Sequence, residues 1–210
     1  MIDKREVGGI KVKKKYWLGG VLSAMVIVGG VAMVQPTLAA FMSQDSEINN
    51  FKTGDVNIEV EETFPPCTDF TKVCPKEVSI KNESLQTDAV IRVAIIPYWQ
   101  DETGKAWPGD VSSSVVQLNF AEHYFDSWMD GGDGYYYYKE VVEARQQTEQ
   151  LLSSVKINIP SGLEDRYNGK TLVVDVKAEA VQPTLDAVKA VWPNLSNDVK
   201  VMIEKMDGIK

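Results

Sequence analysis

The stretch Asp88-Ala89-Val90-Ile91-Arg92-Val93-Ala94-Ile95-Ile96-Pro97-Tyr98-Trp99 decides the fold class. In an extended chain, neighbouring side chains point to opposite faces. Ile91, Val93 and Ile95 therefore share one side, and Val90, Ala94 and Ile96 share the other. Both sides are apolar, which predicts a central strand buried on both faces for part of its length. Working outward, weaker alternation recurs. Val56, Ile58 and Val60 alternate with Asn57, Glu59 and Glu61, and Val78 and Ile80 with Ser79 and Lys81. Val116, Leu118 and Phe120 repeat the pattern, as do Val155, Ile157 and Ile159 before Pro160. Leu172, Val174, Val176, Ala178 and Ala180 stand against Thr171, Asp175, Lys177 and Glu179. Turn signals separate these runs, and Gly104, Pro108 and Gly109 mark a wet loop from Gln100 to Ser114. Strands with almost no helix between them predict an all-β fold with short helices, a jelly-roll-like antiparallel β-sandwich.

Helical spacing appears near the C-terminus. Leu185, Val188 and Val191 fit one segment, which Pro193 stops. Asn194 to Met206 fits a second, with Ser196 as its N-cap. A brief helix fits between Ser161 and Gly169. The expectation is a β-domain over 53–183 and a helical appendage over 184–210 that packs on the sandwich edge or frays.

The first 40 residues have a different character. Lys4, Arg5, Lys11, Lys13, Lys14 and Lys15 crowd the N-terminus. An uncharged apolar run follows from Trp17 to Val34, then Gln35-Pro36 and the small residues of Thr37-Leu38-Ala39-Ala40. This is the basic, apolar, small-residue order of a secretory signal. It predicts a signal helix over 1–39, cleavage after Ala39 or Ala40, and a secreted or cell-surface product. The competing reading is a retained membrane anchor, for which the run is near the lower length limit. Residues 40–52 then form an extended N-terminal segment.

Export changes the meaning of the charge. The whole chain carries −8, but its first 39 residues hold six basic side chains against two acidic ones, so a chain starting at Ala40 carries −12. Nucleic-acid binding needs a basic surface, so nucleic acid is not an expected partner. The two cysteines, Cys67 and Cys74, sit seven residues apart in Pro65-Pro66-Cys67 through Val73-Cys74-Pro75. Outside the cell they suit a disulfide closing a small loop; free thiols are the alternative.

Candidate chemistry is sparse. Trp128-Met129-Asp130-Gly131-Gly132-Asp133-Gly134 leads into Tyr135-Tyr136-Tyr137-Tyr138. Four tyrosines in a strand place two rings on each face, as core or as a stacking surface for sugars or a neighbouring subunit. Asp126, Asp130 and Asp133 suggest either weak cation binding or a turn with solvated carboxylates; their spacing is not that of an EF-hand. His123 is the one histidine. His-Glu-x-x-His needs two, and no Gly-x-Ser-x-Gly elbow is present. His123 sits in Glu122-His123-Tyr124-Phe125, an aromatic context that suggests a partly packed ring. No catalytic residue, metal or cofactor is expected.

Several stretches together resemble the TasA/camelysin group of secreted Gram-positive proteins, especially BsaA-type biofilm-matrix members. They are Ala39-Ala40-Phe41, Phe51-x-x-Gly54-Asp55-Val56, Val78-Ser79-Ile80-Lys81-Asn82-Glu83, Ala89-Val90-Ile91-Arg92-Val93, Leu118-Asn119-Phe120, Trp128 with Asp133-Gly134-Tyr135 and the following tyrosines, and Lys177-Ala178-Glu179-Ala180-Val181-Gln182. The resemblance implies a jelly roll, export through a SipW-type signal peptidase, and assembly with itself and other matrix proteins into extracellular fibres. It also suggests a mechanism: cleavage frees Ala40 to Asn50, with Phe41, Met42 and Ile48 as apolar anchors, to add as a strand to a neighbour. Two alternatives belong to other classes, a camelysin-like surface metalloprotease and a monomeric glycan-binding sandwich. The expected mature protein starts at Ala40. Intact-mass measurement of the exported chain checks this, and retention of residues 1–39 would establish the anchor instead.

Overall fold

The alternating segments pair into two antiparallel sheets in a computed structural model that describes residues 56–63 and 72–210. The chain divides into units Met1–Phe41 and Met42–Lys210, and every described residue belongs to the second. The first sheet has the order β1-β2-β8-β5, from Ile58–Thr63, Val73–Asn82, Leu152–Ile157 and Val116–Phe120. The second is built on β3, Val90–Gln100. On one side β3 pairs with β9, Thr171–Val181, in continuous register from Val90 opposite Val181 to Gln100 opposite Thr171. Its other pairings are with β7, Tyr136–Tyr138, and with the two-residue β4, Ala106–Trp107; β6, Trp128–Asp130, lies outside β7.

Side-chain alternation builds the core between these sheets. Val78 and Ile80 of β2, Val155 and Ile157 of β8, Ile91 and Val93 of β3, and Leu172 to Ala180 at every second position of β9 join one buried cluster. Full burial of each such side chain stabilises the fold by about 1.5–3 kcal/mol. The other face of β3 is covered as well. Val90, Tyr137 and Val181 pack under two helices, Leu185–Val191 and Asn197–Glu204, through Val188, Trp192, Leu195, Val199 and Ile203. Two shorter helices, α1 at Tyr124–Ser127 and α2 at Glu164–Tyr167, precede this pair, which we number α3 and α4.

The helix starts follow their caps. Thr184 Oγ1 accepts from Ala187 N at 3.2 Å, and Ser196 Oγ accepts from Val199 N at 3.3 Å. What differs from the sequence expectation is their place. The helices form an outer layer on the second sheet, where Val90 and Val181 need apolar cover, and neither pack on the sandwich edge nor fray. Three further details differ. β2 starts at Val73, which puts Cys74 in a strand. β8 starts at Leu152 and ends before Ile159. The wet loop after Gln100 contains β4, pinned from below: Trp99 Nε1 donates to Asp110 O at 2.8 Å, Asp110 N donates to Tyr167 Oη at 3.0 Å, and Tyr167 meets Trp99 and Trp107 edge-on. A Cβ on Gly109 would fall 2.4 Å from the Trp99 ring, so this turn admits only glycine.

Trp192 is 2 % exposed and joins the helical layer to the sheet. Trp192→Ala is expected to lower unfolding stability by about 3–5 kcal/mol. Denaturant melts followed by far-UV dichroism should show one transition, because sheet and helices share the outer core; an unchanged midpoint would show the helices to be dispensable.

Candidate functional site

The densest polar cluster lies on the outer face of the second sheet, and strand register creates it. Arg92 is directly opposite Tyr137 on β7 and Glu179 on β9. Arg92 Nε and Nη2 donate to Glu179 Oε2 at 2.9 and 2.6 Å, and Nη1 donates to Tyr137 Oη at 3.1 Å. Its guanidinium lies 3.9 Å from the centre of the Tyr135 ring and 4.6 Å from that of Trp192. Tyr135 donates to Glu179 Oε1, Lys177 Nζ donates to Tyr135 Oη, and Tyr137 donates to Asp133 Oδ2 at 2.7 Å.

Charge and burial oppose each other here, and pairing prevails. Burial works against the Glu179 carboxylate, but hydrogen bonds from Lys177 and Arg92 more than offset it and hold its pKa below the ordinary value. Burial likewise opposes the Arg92 charge, which Glu179 and Tyr137 restore to a pKa above the ordinary value. Tyr137 is pushed up to about 12, first by burial and then by its bond to Asp133. The cluster joins β3, β7 and β9 and seats Trp192 of the helical layer.

The four tyrosines divide as alternation requires: Tyr136 and Tyr138 pack toward the core between the sheets, Tyr135 and Tyr137 toward the helical layer. Trp128 is buried, donates from Nε1 to Glu149 O at 3.1 Å and meets Tyr138 edge-on. Trp128, Tyr137 and Tyr138 thus offer no open ring face to a sugar. The aspartates close turns. Asp130 accepts from Gly132 N and Asp133 from Tyr135 N. Among the described residues, no three His, Cys, Asp or Glu side chains are grouped to hold a metal ion.

His123 lies at the turn into α1. Its side chain is 68 % exposed, its ring lies 3.6 Å from Glu122, and its backbone is left-handed at φ 59°. Its ring meets that of Phe125 edge-on, with centroids 5.9 Å apart. A zinc-peptidase centre does not fit a single exposed histidine beside one carboxylate. Cys74 is disulfide-bonded, and Cys67 is the only other cysteine in the chain. Cys67, Ala39, Ala40, Phe41, Met42 and Ile48 lie outside the described residues. Among the described residues, no helix is long and apolar enough to cross a membrane.

Sequence reading passed over Arg92, Lys177 and Glu179 as site residues. The available signal was a single arginine in the most apolar strand, with Lys177 and Glu179 two apart on one face of another. It also passed over a second cluster where β1 comes beside β9. There Lys76, 1 % exposed, donates to Glu62 Oε2 at 2.6 Å. Asp175 is pushed up to about 6 by burial, with Lys76 opposing and Glu62 reinforcing the rise.

Set against protein-family models, curated proteins and solved structures, the chain matches none.

A raised folded-state pKa means that ionised Asp175 weakens the fold. That penalty is absent below the unfolded value near 4, grows as pH rises toward about 6, and is complete above it. Asp175→Asn should therefore stabilise the protein at pH 7.5 by about 1 kcal/mol after discounting for solvent screening. The gain should vanish near pH 4. Urea midpoints for both proteins at the two pH values check this, and equal differences at both would contradict it.

Proposed function

We propose that this chain is a secreted structural subunit which, once residues 1–39 are removed, assembles into extracellular fibres of a bacterial biofilm matrix. The new N-terminus, beginning Ala40-Phe41, adds as a strand to a neighbouring subunit. In this reading the domain is a jelly roll of the TasA/camelysin type, and a SipW-type signal peptidase and other matrix proteins are its partners. The nested strand order supports the jelly-roll part: β2 with β8 in one sheet encloses β3 with β7 in the other.

The observation that carries the proposal is the set of sheet edges. Among the described residues, β1 and β5 bound the first sheet and β9, β6 and the two-residue β4 the second, each with one strand partner. Unpaired edge backbone is a template for another chain. A contact in which one subunit's end meets another's edge does not close on itself, so it propagates as a filament. The exported, acidic character of the sequence fits a subunit that stays soluble until it joins a fibre.

Deleting Ala40 to Asn50 from the mature protein should abolish fibres in electron micrographs while leaving far-UV dichroism and the melting midpoint unchanged. Fibres formed as before by the deletion variant would refute strand addition. A mature chain that sediments only as monomer would favour a monomeric surface role.

A further inference from the structure

We propose that Lys76 and Asp175 join within one chain as a side-chain amide, with Glu62 carrying the protons, so that β2 of the first sheet is bonded covalently to β9 of the second. This inference does not depend on fibre assembly.

Three conditions must meet before a lysine condenses with a carboxyl. The amine must shed its extra proton, the carboxyl must hold one, and bulk water must be kept away. Lys76 is 1 % exposed, which is rare for a lysine unless it is paired or reactive. It lies on β2 in the same alternating row as the buried Cys74, Val78 and Ile80. Its Nζ donates to Glu62 Oε2 at 2.6 Å, so a proton acceptor already holds the ammonium. Asp175 lies on β9, partly buried, at the seam where β1 comes beside that strand. Lys76 and Glu62 are both close enough to act on its charge.

The two carboxyls suit different parts. A carboxylate is inert toward an amine, whereas a carboxylic acid can lose water to it. Glu62 is the more open to solvent of the Lys76–Glu62 pair, at 29 % against 1 %, and it bonds the ammonium as an acceptor. Burial pushes Asp175 up to about 6, so near neutral pH more of it is the acid than of an ordinary aspartate. The flexible lysine stem can carry Nζ from one carboxyl to the other. Asp175 is therefore the electrophile and Glu62 the proton carrier.

The step balances without a co-reactant. Glu62 takes one proton from the Lys76 ammonium. The amine lone pair adds to Cγ of the Asp175 acid, forming the N–C bond. The C–O bond then breaks, and the hydroxyl leaves as water with the proton from Glu62. Glu62 takes the second nitrogen proton and returns it to solvent. The product links positions 99 apart in sequence and bridges two sheets otherwise held by packing. The pH-dependent stability described above belongs to the unlinked chain, because the linked chain has no Asp175 carboxyl to titrate.

Intact mass of the folded chain, residues 40–210, measured after reduction and denaturation, tests the bond. The expected loss is about 18 Da, one water, from the sequence mass. Trypsin cuts after free lysine, so it should release residues 73–81 joined to residues 171–177 and uncut at Lys76. Lys76→Arg and Asp175→Ala should restore the full mass. Glu62→Gln should also restore it while keeping the far-UV dichroism of the parent. A folded parent of full mass that trypsin cuts at Lys76 would overturn the proposal. So would a loss of water mapped elsewhere, whether between Lys76 and Glu62 or at an Asp-Gly pair. A branched peptide that persists in Glu62→Gln would overturn the part given to Glu62.

Discussion

Burial of β3 on both faces is the constraint from which the remaining architecture follows. Val90 and Ile91 are adjacent and both fully buried, so apolar groups must lie above and below this strand. The first sheet supplies one layer and the α3–α4 pair supplies the other. One backbone side of this strand is paired along its whole length. β9 occupies one side throughout, and β7 and β4 take separate stretches of the other. An interior strand of a single sandwich needs cover on one face only. The second covered face makes the C-terminal residues part of the fold.

Arg92 is the exception within that strand, and its neighbours explain how it is tolerated. A guanidinium among apolar side chains needs its charge and its donors matched. Register brings Glu179 and Tyr137 directly opposite it, and Tyr135 and Trp192 give it aromatic faces. The cluster is closed, with its charges turned toward each other. It ties the helical layer to the sheet through Trp192. What the described residues do leave open is backbone at the sheet edges, which is why the functional reading falls on assembly.

The sheet edges differ because the strands differ in length and regularity. Short or irregular edges, and an edge lined with carboxylates, resist unwanted pairing; β9 is long and regular, with β1 beside it. Its charged side chains, Asp175, Lys177 and Glu179, alternate with the buried apolar row and are themselves partly buried. The buried Lys76–Glu62 pair and the disfavoured charge on Asp175 lie where this edge meets β1.

The sequence by itself determined where most of the longer strands lie, the division of the four tyrosines between two faces, the helix cap at Ser196, and the all-β class. Each of these rests on a local rule: the two-residue alternation of an extended chain, or a hydroxyl that accepts a backbone N–H within one helical turn. Only the tertiary structure decided which strands are neighbours, that the C-terminal helices cover a sheet face, that His123 points to solvent, and that Arg92, Glu179 and Lys177 form one cluster. Those outcomes depend on register between distant segments, as for Arg92 and Glu179, which are 87 positions apart. Alternation shows that a side chain has a face; it does not show what the opposing strand will place there.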